Sequence, residues 1–247
     1  HVSFSTGVEV LNLTDHAASS RITTQPGGAY ESLLVKDGVT ITSATGGAIE
    51  LFARDDLNFQ LGSFVATTGL VTIRGDLGDL DSVGTVINLF GTINADQVEV
   101  FGNTQNDTVN VSNVTTGSET TISVGAGSDV VNIQTIEAET TVNTGSGANI
   151  VIVGSTAPAN TGNVNGIRRR LIVNGESSND TLNVFDKDAG AERGSLTATD
   201  LTGLNLGSSI RYNSASNKVE TLNLFLGDRE DTFTILSTDA ATTTNLN

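Results

Sequence analysis

The chain has no cysteine, no methionine and no tryptophan, and only two prolines and two histidines in 247 residues. Without cysteine there is no disulfide framework, no thiolate metal site and no cysteine nucleophile. His1 and His16 stand outside any metal-ligand spacing. No Gly-x-Ser-x-Gly elbow offers a serine nucleophile. The lack of Met, with His1 in first place, leads us to expect a processed protein or an excerpt from a longer one. Basic residues are scarce: 12 Lys and Arg against 28 Asp and Glu leave a net charge of −16. Phosphate would be repelled, so neither nucleic acid nor an anionic membrane is an expected partner. No apolar run approaches the ~20 residues of a membrane span, so membrane insertion is not expected. Aromatics make up only 4% of the chain, so aliphatic stacking must do the packing that rings do elsewhere. A sustained helical pattern is also missing.

What is present is one phrase written repeatedly. An alternating strand runs into glycine, then a few small or polar residues, then Asp or Asn, then another alternating strand. Copies run from Val98–Gly102 to Asp107–Val111, from Thr121–Gly125 to Asp129–Ile133 and from Thr141–Gly145 to Asn149–Val153. Two more run from Leu171–Gly175 to Asp180–Val184 and from Leu222–Gly227 to Asp231–Ile235. One such unit cannot bury its own apolar face, but a stack can. In Val109-Asn110-Val111, Val131-Asn132-Ile133, Leu182-Asn183-Val184 and Leu222-Asn223-Leu224, the aliphatics share one face and Asn takes the other. In-register stacking would give a continuous aliphatic interior and outward ladders of Asn.

The first hundred residues carry short strands, such as Ile49–Phe52, Leu70–Ile73 and Val86–Leu89, without the Gly-to-Asp turn. Two polar stretches, near 156–166 and 186–194, read as loop insertions from the coils. The two ends also match. Val8, Glu9, Leu11, Asn12 and Leu13 meet Val219, Glu220, Leu222, Asn223 and Leu224, a shift of 211 residues (219 − 8). Either any two coils of a solenoid look alike, or the chain is a slice of a tandem array with that period.

The spacing of Gly125, Gly127, Asp129, Val131 and Ile133 resembles the calcium-binding nonapeptide repeat of secreted bacterial RTX proteins. Residues 69–73, 84–95, 106–111 and 219–224 look like the β-helix repeats of very large bacterial surface proteins, adhesin-like and planctomycete-like. The second resemblance spans roughly residues 40–247. It implies a right-handed parallel β-helix on or outside the cell. The RTX pattern is followed only in part: the phrase recurs every 20 residues or more instead of in immediate succession, and Asn149 replaces Asp in one copy.

Candidate site residues are all carboxylates. Asp107, Asp129, Asp180 and Asp231 close the repeated turns, and a hard cation such as calcium wants several oxygens converging. The opposing reading, which Asn149 favours, is that Gly supplies positive φ and Asp or Asn closes the turn by hydrogen bonding. Asp76, Asp79 and Asp81 form a second candidate calcium cluster. Asp186 with Asp188, and Asp228 with Glu230, are further acidic groups that a solvated surface also explains. Arg168-Arg169-Arg170 is the only basic run. Some polysaccharide lyases on β-helices use an arginine base, but an exposed turn whose charges offset nearby acids is the preferred reading.

The expected fold is thus all-β: a right-handed parallel β-helix, one solenoid over residues 1–247 with about ten coils. The expected role is a structural extracellular or cell-surface module: a spacer, adhesin stalk or filament subunit stacking end to end. Its expected partners are copies or neighbouring repeats of itself, with cell-surface or matrix glycans as a further class. It is not expected to be an enzyme or to require a cofactor. A calcium-binding RTX-like domain is the first alternative and a polysaccharide-degrading β-helix enzyme the second.

Overall fold

The computed structural model describes residues 2–4, 8–9, 13–15, 20–24, 32–43, 45–78, 82–112, 117, 119–176, 179–188, 190–214, 216–227 and 229–247. Among the described residues there is no helix. The chain winds through successive coils. The first four hold three strands each: β1 (Val2–Phe4), β2 (Val8–Glu9), β3 (Leu13–Asp15); β4 (Ser20–Thr24), β5 (Leu33–Val35), β6 (Thr40–Ser43); β7 (Ile49–Phe52), β8 (Leu57–Phe59), β9 (Phe64–Ala66); β10 (Leu70–Arg74), β11 (Val86–Leu89), β12 (Thr92–Asn94). The next four hold two each: β13 (Gln97–Phe101), β14 (Thr108–Val111); β15 (Glu119–Ser123), β16 (Val130–Ile133); β17 (Glu139–Asn143), β18 (Ile150–Val153); β19 (Leu171–Asn174), β20 (Thr181–Asp186). Then come β21 (Arg193–Leu196), β22 (Asp200–Gly203), β23 (Ser209–Arg211) and β24 (Thr221–Leu226), and finally β25 (Thr232–Ile235) and β26 (Thr243–Leu246).

Corresponding strands stack into three sheets. Sheet A has the order β1-β4-β7-β10-β13-β15-β17-β19-β23-β22-β21-β25. Sheet B has the order β2-β5-β8-β11-β14-β16-β18-β20-β24-β26, and a short sheet C has β12-β9-β6-β3. Sheet B is parallel throughout, as is sheet A up to β23. The parallel β-solenoid read from the sequence is therefore the observed fold.

Alternation decides what faces inward. In β14 and β24, Val109, Val111, Leu222 and Leu224 are buried while Asn110 and Asn223 face out. Because the register keeps equivalent residues opposite one another, the buried side chains form columns. Along sheet A, Ile22, Leu51, Ile73, Val100, Ile122, Val142 and Val173 lie one above another. Along sheet B the column is Val35, Phe59, Leu89, Val111, Ile133, Val153, Val184, Leu224 and Leu246. All of these except Leu246 belong to one continuous core. Small branched side chains suit this geometry, since each coil contributes a thin layer.

The outward Asn residues do form ladders. In sheet B, Asn110 Nδ2 donates to Asn88 Oδ1 and Asn132 Nδ2 to Asn110 Oδ1, both at 2.7 Å. Asn223 and Asn245 repeat the pattern on Asn183 and Asn223 at 2.8 and 2.7 Å. In sheet A, Asn174 Nδ2 donates to Asn143 Oδ1 at 2.9 Å. Asn110, Asn143 and Asn223 each donate upstream and accept downstream, whereas the row stops at Asn132, which faces Ile152 and whose Oδ1 is buried without a partner.

One feature departs from the simple winding. β21 and β22, and β22 and β23, pair antiparallel, while β23 continues sheet A on β19 and β21 accepts β25. Sheet A thus gains two strands that sheet B does not match. The sequence carried no Asn-Gly or Asp-Gly signal for this hairpin. Its first turn is closed instead by Thr197, whose backbone N–H donates to the Asp200 carbonyl and whose Oγ1 accepts the Asp200 N–H, both at 2.9 Å. The second turn uses positive φ at Gly203, Leu204 and Asn205.

Candidate functional site

The repeated turns bring their carboxylates into a line along one corner of the solenoid, just before the sheet B strands. Each side chain accepts the backbone N–H of its equivalent one coil earlier. Asp107 Oδ1 accepts from Thr85 at 2.8 Å, Asp129 Oδ1 from Asp107 at 2.8 Å, and Asn149 Oδ1 from Asp129 at 2.9 Å. Asp180 Oδ1 accepts from Asn149 at 3.1 Å, and Glu220 Oε2 from Asp180 at 2.8 Å. The carbonyls of Thr85, Asp107, Asp129, Asn149 and Asp180 meanwhile accept from Thr108, Val130, Ile150, Thr181 and Thr221. The line is thus a side-chain ladder laid beside the backbone ladder of sheet B.

This is the turn-closing role, with a different partner from the one local turn chemistry suggests. The carboxylates chiefly bond the preceding coil rather than their own turn. Asp107 does both, since its Oδ2 also accepts the Asn103 N–H at 2.7 Å. Asp180 Oδ2 is taken by Thr144 Oγ1 at 3.0 Å. Asn149 fits the row because its Oδ1 does the carboxylate's work while its Nδ2 donates to Asp180 Oδ1 at 3.0 Å. The glycines ahead of the row are sterically required. Gly125 has φ +100, and a Cβ there would lie 1.9 Å from the Asn103 carbonyl oxygen.

Electrostatics follow from burial. Asp107, Asp129 and Asp180 are buried. Asp129 is pushed up to about 7, first by desolvation and then by the neighbouring charges of Asp107 and Asp180, against the opposing effect of the Asp107 N–H. Its Oδ2 is buried without a hydrogen-bond partner.

A second group sits where the chain leaves β20. Asp186 is fully buried, and its Oδ1 accepts the Val164 N–H at 3.2 Å. Glu192, also buried, accepts from Asn205 Nδ2, and its backbone N–H donates to Asp231 Oδ1 at 2.9 Å. Asp231 thus repeats the ladder relation on the sheet A side. Asp186 is raised to about 7, by burial first and then by the charges of Glu192 and Asp231. Glu192 is also raised, chiefly by burial. Asp186 Oδ2 and Glu192 Oε2 are both buried and unbonded. Burial and the neighbouring charge of Asp231 favour the protonated form of both. Asp186 was visible in the sequence only as part of an acidic loop, and Glu192 was not visible as a site residue. Their proximity depends on the hairpin, which has no sequence signature.

The remaining candidates are dispersed. Asp76 is buried with φ +45; its N–H donates to the Asp55 carbonyl, and its own carbonyl accepts from Asn103 Nδ2. Asp79, Asp81, Asp228, His1 and His16 lie outside the described residues. Asp188 Oδ2 accepts the Gly162 N–H, tying the second insertion to the first. Arg168 pairs with Glu137 at 2.7 Å on the surface. Among the described residues, no three His, Cys, Asp or Glu side chains converge so that they could hold a metal ion. A cleft of about 250 Å³ on the outer face of sheet B is lined by Phe90, Asn110, Asn132, Gln134, Ala157 and Pro158 among others, with no titratable group.

No protein-family model matches the chain, and neither the curated proteins nor the solved structures compared with it contain a match.

Proposed function

We propose that this chain is a structural extracellular repeat module, a rigid spacer in an adhesin stalk or filament. The observation that carries the reading is the triple ladder: backbone, Asp-type and Asn side chains all bond coil to coil along the same axis. At about 4.8 Å per strand spacing, the ten strands of sheet B span roughly 45 Å. Each extra side-chain bond adds on the order of 1 kcal/mol, so stiffness is distributed along the rod rather than held in one thick core. The acidic surface favours solubility at high local concentration, and the resemblance to surface-protein repeats supports a place outside the cell.

The calcium reading has less support, because the turn carboxylates are engaged with backbone N–H groups. The hydrolase or lyase reading has less again, because the sheet B cleft is lined by amides and apolar groups. Small-angle scattering of the purified chain tests the spacer reading. A cross-section that stays constant along a rod of roughly 45 to 50 Å is expected, and a profile of a compact sphere would overturn it.

A further inference from the structure

We propose that the cleft on the outer face of sheet B is a binding site for one uncharged sugar unit of a saccharide chain. The inference goes beyond the spacer reading and does not depend on it. The cleft lies where the Asn ladder breaks off. Asn132 Nδ2 donates to Asn110 Oδ1, but the next position in the row is Ile152, so no amide continues the ladder. Asn132 lines the cleft and is 3% exposed, and its Oδ1 is buried without a partner. A buried acceptor without a donor costs free energy that a ligand hydroxyl reaching it would recover.

The insertion that follows Gly154 completes the lining. Gln134 Nε2 donates to the Ala157 carbonyl at 2.6 Å, which ties Ala157 and Pro158 to the sheet. The Ser155 N–H closes the loop on the Asn163 carbonyl at 2.8 Å, and Asp188 Oδ2 holds the Gly162 N–H at 2.9 Å. Phe90, Ser112 and Gln134 each follow directly on a sheet B strand, β11, β14 and β16. Phe90 lies outside the continuous core. The cleft is thus preformed, with Phe90 and Pro158 as apolar surfaces and three carboxamides beside them.

The lining selects the ligand. No titratable group touches the cleft, so an ion entering it would lose hydration without gaining a counter-charge. The net charge of −16 adds repulsion for anions. A peptide strand finds no free backbone edge there, because β14 and β16 are paired on both sides. Hydroxyls suit carboxamides, each of which has two N–H donors and a carbonyl with two lone pairs. Asn110 and Asn132 each spend one N–H along the ladder, which leaves the second for a ligand. A sugar ring presents hydroxyls at its rim and apolar C–H faces to Phe90 and Pro158. Small-ligand clefts have this mixture of apolar walls and a few polar groups. The volume of about 250 Å³ is just below the ~300 Å³ at which clefts take drug-sized ligands, which fits one unit of a chain.

Affinity electrophoresis of the 247-residue chain tests the proposal, in gels holding dextran, galactomannan or xyloglucan, with polygalacturonate as the acidic comparison. Each protein is referred to its own migration in a gel without polysaccharide. Retardation by at least one neutral polysaccharide, and none by polygalacturonate, is expected. Phe90→Ala should lose the retardation. Ser112→Lys is the second variant: it puts a long charged side chain into the cleft at a half-buried position outside the core, so it should keep the parent's melting temperature and still lose binding. Leu61→Ala, at a residue that is 72% exposed and outside the cleft, should be retarded like the parent. No retardation in any neutral gel, retardation by polygalacturonate alone, or retardation that survives both cleft variants would each overturn the site. Rod-like scattering without retardation removes this inference alone, whereas retardation of a compact particle removes only the spacer reading.

Discussion

Asp129 accepts the backbone N–H of Asp107 through Oδ1 at 2.8 Å, although the two residues belong to different coils. The bond welds one turn to the next, and its buried second oxygen stands unbonded. Asn149 occupies the next place in the same row and uses its amide to donate as well as accept.

Replacing Asp129 should therefore separate charge from hydrogen bonding. Asp129→Asn keeps the acceptor for Asp107 and removes a charge held in a desolvated site. Its melting temperature at pH 8 is expected to equal or exceed that of the parent. Asp129→Ala leaves the Asp107 N–H without its acceptor and should cost about 1–3 kcal/mol. Urea denaturation of the two variants checks both directions, and an Asn variant as unstable as the Ala variant contradicts the ladder role.

Asp129 and Asp186 both hold their protons up to about 7 in the folded chain. Unfolded, such carboxyls release them near ~3.9. Between those values the folded state binds more protons than the unfolded one, so stability falls as pH rises from about 4 to about 7 and levels off above it. Repulsion within a chain of net charge −16 acts in the same direction. The double variant Asp129→Asn/Asp186→Asn should flatten the curve. A stability that instead rises steadily from pH 4 to pH 7 in the parent would refute the assignment.

Calcium should leave the turns unaffected. Asp107 and Asp180 have both oxygens engaged, and Asp231 holds the Glu192 N–H. The melting temperature is expected to be the same in EDTA and in millimolar calcium. A rise with calcium that Asp129→Asn abolishes would restore the RTX-like reading.

Gly125 is one of the turn glycines that no side chain can replace. Its φ of +100 and the nearby Asn103 carbonyl leave no room for a Cβ. Gly125→Ala should destabilise the fold by more than the ~1 kcal/mol of an ordinary left-handed site, because a coil-to-coil contact must open. Gly190, around which a Cβ would meet nothing within 4 Å, is the control. Equal stability of the two alanine variants would contradict the steric argument.

Truncating the core should cost energy at every level of the stack. Ile122→Ala empties part of a fully buried column and is expected to cost about 2–5 kcal/mol. The same change at Ile235, which is half exposed, should cost much less. Comparable losses at the two positions, measured in urea, would contradict the assignment of Ile122 to the sealed column.

Alternation and spacing alone determined the stacked β architecture, the inward aliphatics and the outward Asn ladders. A side chain's face follows from the parity of its position in a strand, and the turn glycines mark where each coil bends. Local chemistry also showed that Asp and Asn would close the turns. It could not show that their partner lies one coil away, because that N–H is 20 to 31 residues distant along the chain and becomes a neighbour only when the coils stack. Nor could it show the antiparallel hairpin or the burial of Asp186 close to Glu192 and Asp231. Those depend on register between segments far apart in sequence, which only the assembled stack decides.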